Sequence, residues 1–105
     1  MKKTTHIFKA LADPTRRQIL QELKKEELTA GAISGLFEMT GPSISRHLTI
    51  LKNAELIEER KDGNRIFYSL NADQLAFCLN DFLSQVCPTQ ISKRKKISKK
   101  KGRKK

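Results

Sequence analysis

The chain has 105 residues, 37% of them hydrophobic, and a formal charge of +11. That is one small domain by size, with a thin core that dimerisation would supplement. The charge is misleading about the fold: ten of the 22 basic residues lie between Lys93 and Lys105 with no acid among them, so residues 1–92 balance at about +1 and any affinity for a polyanion must come from where their cations sit.

In chain order, Thr5 to Ala12 carries Ile7, Phe8 and Leu11 on one side of a helix. Asp13 as N-cap with Pro14 at the first helical position forces a break and opens a second helix, whose Ile19, Leu20 and Leu23 point inward. Arg16 and Arg17 on that helix are expected to form surface or interface ion pairs. Thr29 is the N-cap of a third helix reaching Phe37. Its apolar positions are 33, 36 and 37, and its Gly and Ala at 30 to 32 and 35 allow close packing. The short stretch Glu38-Met39-Thr40-Gly41, with its glycine, is a turn between steeply crossing helices.

A fourth helix starts from Thr40 as N-cap, tolerates Pro42 in its first turn, and buries the stripe Ile44, Leu48, Leu51. Its opposite side carries Pro42, Arg46, Thr49 and Asn53, flanked by Ser43 and Ser45: polar, small and singly basic, a face that can enter a major groove. The serines serve either DNA or their own helix backbone, and His47, on the shoulder of the stripe, is either packed and hydrogen-bonded or a DNA contact. Next come strand-like runs at 56–60 and 65–70 around Lys61-Asp62-Gly63-Asn64, a hairpin signal that gathers Arg60, Lys61 and Arg65 near one tip. Asn71 then caps a helix to Val86 with an apolar seam at Leu75, Leu79, Phe82 and Val86, and Pro88 stops it. The result is a mainly α fold of about five helices with a two-stranded wing, spanning residues 1–92. The basic stretch 93–105 is low in complexity, self-repelling and expected to be disordered.

Asp13-Pro14-Thr15-Arg16-Arg17-Gln18-Ile19-Leu20, then Leu28-Thr29-Ala30, Pro42 to Leu51, Leu56-Ile57 and Arg65 to Leu70 together resemble the ArsR-type winged helix-turn-helix repressors, over roughly residues 5 to 87. The resemblance implies a homodimeric transcriptional repressor on an inverted-repeat operator. Its DNA contacts would come from Thr29, Thr40, Pro42, Ser43, Ser45, Arg46, His47, Thr49, Lys61, Asn64 and Arg65. Its dimer interface would join the first and last helices through Ile7, Phe8, Leu11, Leu75, Leu79, Phe82 and Val86. With no apolar run of membrane-spanning length and no signal-peptide core after His6, the expected location is the cytoplasm, with the nucleoid.

Many relatives of that type release DNA on binding metal, but the ligands are missing: residues 29–37 contain no Cys and residues 71–86 no His. The chain thus resembles the metal-independent, SdpR-like autorepressors of the family, with no cofactor, no metal and an unidentified inducer. Cys78 and Cys87, roughly 13 Å apart on one helix, are too distant to bridge within a chain. They are expected to be free thiols, with a metal or redox response across a dimer as the alternative. No phosphate loop, metal-ligand pair or nucleophile with its partners supports an enzyme. A winged helix used as a protein-docking adaptor is the remaining alternative.

Overall fold

The structure, a computed structural model, describes residues 2–87. The expected boundary at residue 92 and the basic stretch 93–105 lie outside them. Eight elements follow in order: α1 Lys2–Leu11, α2 Pro14–Lys25, β1 Leu28–Thr29, α3 Ala30–Phe37, α4 Gly41–Asn53, β2 Ile57–Asp62, β3 Arg65–Leu70 and α5 Ala72–Val86. The chain divides into two compact units within α5, between Leu75 and Ala76. The five helices are those the sequence indicates. The strands number three among the described residues, not two, because Leu28 and Thr29 pair antiparallel with Tyr68 and Phe67 to give a sheet ordered β1-β3-β2. Two residues carry no alternation to detect; only the pairing with β3 makes them a strand.

The joint between α1 and α2 is a local construction of the Asp13 to Arg17 run. Asp13 accepts a hydrogen bond from the backbone N–H of Arg16 at 3.0 Å while Pro14 supplies a helical φ where no N–H is needed. The two arginines then turn back to the end of α1. Arg16 donates to the carbonyls of Ala10 (2.8 Å) and Lys9 (3.0 Å), and Arg17 to that of Leu11 (2.6 Å). Two cations at the negative end of a helix satisfy carbonyls that have no partner inside it. Among the described residues, Arg16 and Arg17 make these carbonyl contacts and no surface ion pair.

The core of the first unit is built from Ile7 and Ala10 of α1, Ile19, Leu20 and Leu23 of α2, Ile33 of α3, and Ile44, Leu48 and Leu51 of α4, closed by Ala54, Leu56 and Ile57. Each helix gives it one stripe, as the 3.6-residue period requires. The α3–α4 turn does not depend on Gly41, which is the first residue of α4. Its left-handed residue is Glu38 at φ 53°, and the N–H of Met39 returns to the carbonyl of Ser34 at 3.2 Å. The far end of α4 closes the same way: Glu55 at φ 62° bonds back to Lys52 (2.8 Å) and Leu56 to Leu51 (3.0 Å), with both leucines buried. That is a Schellman ending with glutamate where glycine is usual. Nor do the glycines of α3 serve close packing. A Cβ on Gly35 would meet nothing within 4 Å, and Leu36, expected inward, is 56% exposed.

Strands β2 and β3 pair in register from Ile57↔Leu70 to Asp62↔Arg65, leaving a two-residue turn, Gly63-Asn64. Of the two, only Gly63 has positive φ (66°), the arrangement of a II′ turn, which needs glycine in its first position. Asn71 fastens the exit: its N–H donates to the Leu56 carbonyl (2.8 Å), its amide to that of Glu55 (3.2 Å), and its side-chain oxygen accepts from Gln74 N–H as the first turn of α5 begins.

Candidate nucleic-acid interface

The N-terminus of α4 is set by Thr40, whose hydroxyl oxygen accepts from the Ser43 N–H at 3.3 Å while donating to the Ser43 hydroxyl at 3.1 Å. Thr40 and Ser43 are thereby engaged in capping, one of the two roles open to the serine. Burial of Ile44, Leu48 and Leu51 turns Pro42, Ser45, Arg46, Thr49 and Asn53 outward, and all five are exposed. Arg46 makes no hydrogen bond or ion pair with any described residue. Together with Met39, Pro42, Ser43 and His47 it lines a shallow cleft of about 260 Å³. Thr29 caps α3 through a 3.1 Å bond from Ala32 N–H and is half-buried, which leaves its hydroxyl committed.

His47 is half-buried and hydrogen-bonded, the first of the two roles considered for it. Its Nδ1 lies 3.3 Å from Nη1 of Arg16, the arginine fastened to the end of α1, while the ring lines the same cleft as Arg46. Sequence reading missed Arg16 as part of this face, because 31 residues separate it from His47. Asp13 stands beside the pair, and the backbone N–H of Arg16, aided by the positive field of its guanidinium, holds the Asp13 carboxyl below the usual carboxylate range.

The wing is two-faced. Side chains alternate across a strand, so Arg60, Phe67, Asp62 and Arg65 share one face, and Lys61 stands on the other with Glu59, Ile66 and Tyr68. The single cluster of Arg60, Lys61 and Arg65 expected at the tip therefore does not form. Arg60 makes a forked bond to Glu27 (2.8 and 3.1 Å), stands 3.9 Å from the Asp62 carboxylate and lies 4.8 Å from the centre of the Phe67 ring, with Arg65 at 5.3 Å. The fork lowers the Glu27 carboxyl below its usual range and keeps Arg60 more firmly protonated. On the other face Glu59 pairs with Lys52 of α4 at 3.2 Å, which ties the wing to the helix. Burial first, then Glu59, pushes the Tyr68 hydroxyl above its ordinary value. Lys61, Asn64 and Arg65 are exposed, and Lys61 has no ion-pair partner among the described residues.

Residues 13–59, from the Asp13 cap through α4 into β2, match the model of bacterial regulatory proteins of the arsR family. The transcriptional repressor SdpR of Bacillus subtilis is 48% identical over 79 residues, covering 75% of this chain and 88% of that protein. The chain belongs to the arsR family. Among solved structures of the family, an ArsR-like transcriptional regulator from a Rhodococcus species superposes with a TM-score of 0.74 at 25% identity, covering 95% of this chain and 92% of that one. A homodimeric winged helix-turn-helix DNA-binding domain from Mycobacterium bovis, a possible ArsR-family regulator, gives 0.67 at 31% identity, covering 81% and 77%. The winged-helix fold is thus that of ArsR-family regulators.

Of the residues expected at an ArsR-type dimer interface, Ile7 is fully buried in the chain's own core and offers no surface. Phe8 and Leu11 of α1 are half-buried, and Leu11 and Leu75 line one apolar groove of about 270 Å³ with Leu20 and Leu70. Within α5, Leu79 is half-buried, while Phe82 and Val86 are 40% and 62% exposed. Phe77, at 72% exposure, stands opposite that seam between Asp73, Asn80 and Asp81, where no apolar repeat announces it. Cys78 is buried, Cys87 half-buried, and both are free thiols. No group of three or more His, Cys, Asp or Glu among the described residues is gathered as a metal site would need, and no helix there is long and apolar enough to cross a membrane.

Proposed function

We propose that this ArsR-family protein is a sequence-specific DNA-binding transcriptional repressor that acts as a homodimer on an inverted repeat, in the cytoplasm and with the nucleoid. The observation that carries this reading is the outer face of α4: five exposed residues, one of them an arginine without a hydrogen-bond or ion-pair partner among the described residues, on a helix fixed by a buried stripe. Arg46 reads a base edge, Ser45, Thr49 and Pro42 line the groove, and Lys61, Asn64 and Arg65 hold the backbone from both sides of the wing. The dimer is formed by covering the groove at Leu11 and Leu75 and the apolar seam of α5 with a second copy. Kinship with SdpR, a repressor by name, supports repression.

The test is a titration of the purified protein against inverted repeats with half-site centres about 10–10.5 bp apart or a close multiple, beside scrambled duplexes at physiological salt. Preference for the repeat is expected, with zinc, cadmium, arsenite and lead leaving it unchanged under reducing conditions. Equal affinity for scrambled DNA rejects the reading. Release by metal, or by an oxidant only while Cys78 and Cys87 are present, would instead make the protein a sensor. Failure to bind any duplex alone would favour an adaptor.

A further inference from the structure

Arg16 lies on α2, outside the helix-turn-helix pair and the wing, yet it is tied to the reading helix. Its guanidinium is not free to wander: Nε donates to the Ala10 carbonyl at 2.8 Å and Nη2 to the Lys9 carbonyl at 3.0 Å, which aims Nη1 at His47 Nδ1, 3.3 Å away. A guanidinium has five N–H donors and no acceptor, so Nδ1 must be the acceptor and the ring proton must sit on Nε2. Two ring nitrogens that are interchangeable in a free histidine are thereby distinguished. His47 lines a cleft with Ser43 and Arg46. It lies one residue, about 100°, round the helix from Arg46, at the flank of the outward face. A helix lying in a major groove meets sugar and phosphate at its flanks and base edges at its centre.

We propose that His47 donates from Nε2–H to a backbone phosphate of bound DNA, and that Arg16 is the positioning residue that fixes the ring and its tautomer for that contact. The inference rests on the DNA-binding reading above and adds a component from outside the helix-turn-helix. It makes the end of α1 part of the DNA-binding apparatus, through a chain of contacts running from the α1 carbonyls through Arg16 to α4. Because the donor is a neutral N–H, the contact adds affinity for any sequence without releasing a counterion.

Four variants of the full chain separate the parts. Asparagine reproduces the Nδ1 position of histidine but not Nε2, and glutamine reproduces Nε2, so His47→Asn keeps the Arg16 contact and removes the phosphate donor, while His47→Gln keeps the donor. On a 30-bp duplex of random sequence, H47N is expected to bind about fivefold to tenfold more weakly with an unchanged salt slope, and H47Q, which keeps the donor but offers Arg16 no Nδ1 acceptor, to fall between H47N and the parent. Nitrogen-15 spectra of the parent should give the Nε2–H form, and Arg16→Met should abolish that preference and match the affinity loss of H47N, with Arg16→Lys recovering part of it. Parent-like binding by H47N overturns the phosphate contact. A slope that falls by about 0.9 per site shows instead a cationic imidazolium, and overturns the neutral donor. A parent ring protonated on Nδ1 overturns the role of Arg16. If R16M does not fold, the two variants at 47 and the parent spectrum decide alone. Absence of binding by the parent would sink the DNA reading and the phosphate contact with it, and the spectrum would still judge Arg16.

Discussion

Arg46→Ala separates reading from folding. The side chain is exposed and has no hydrogen bond or ion pair among the described residues, so its removal should change folding stability by less than about 0.5 kcal/mol. Its effect should appear only on DNA. A bidentate contact between arginine and guanine contributes about 1–3 kcal/mol of discrimination, about 5-fold to 150-fold in affinity for one half-site, and a symmetric dimer forfeits it twice. Anisotropy titrations on the inverted repeat and on random duplex at one salt concentration, beside urea melts of both proteins, measure the three quantities together. The expected pattern is a large loss on the repeat, a small loss on random DNA and coincident melts. By contrast Lys61→Ala and Arg65→Ala should weaken both duplexes alike. If Arg46→Ala lowers both affinities by one factor, Arg46 touches phosphate alone and the assignment of α4's outward face as the reader is wrong; a shifted melt would show that the residue supports the fold.

Asp13→Ala should cost about 1 kcal/mol at pH 7 through removal of the cap of α2. Since the Arg16 N–H depresses the folded-state value of this carboxyl, its contribution is fully present above the unfolded value near ~3.9 and fades as pH falls through the lower folded one. Urea midpoints of parent and variant should therefore converge toward pH 2, and a constant gap would mean that the charge is not the source. Gly35→Ala, at an open position within α3, should raise stability by about 0.5–1 kcal/mol, and a lower melting temperature would show that the exposed face of α3 is occupied. Deleting residues 93–105 should weaken specific and random binding by similar factors and flatten the salt dependence, by about 0.9 in slope for each phosphate no longer neutralised. An unchanged slope would place those ten cations off the DNA.

What the sequence disclosed is what a helix announces locally. Asp13-Pro14, Thr29 and Thr40 mark three helix starts because an N-cap needs only its own next turn, and the stripe at Ile44, Leu48 and Leu51 needs only the helical period. Features made by distant segments were silent. Strand β1 exists because Tyr68 and Phe67 pair with it, the Glu27–Arg60 fork spans 33 residues, and the Arg16–His47 contact spans 31. The left-handed conformations of Glu38 and Glu55 were hidden for another reason: local preference favours glycine there, and the packing around α4 overrides it. On the wing, knowing the register by one residue decides everything, since a turn of Gly63-Asn64 sends Lys61 and Arg65 to opposite faces.

The outer face of α4 also bears on how such a protein diversifies. Ser45, Arg46 and Thr49 are exposed, while the residues that keep the helix in place lie on its other side. Substitutions at those three positions can therefore accumulate with stability changes within about ±0.5 kcal/mol each. After a gene duplication, the two copies could drift to different operators by a succession of single steps, none of which passes through an unfolded intermediate. Selection on what the helix recognises and selection on whether the chain folds would then act on separate sets of residues.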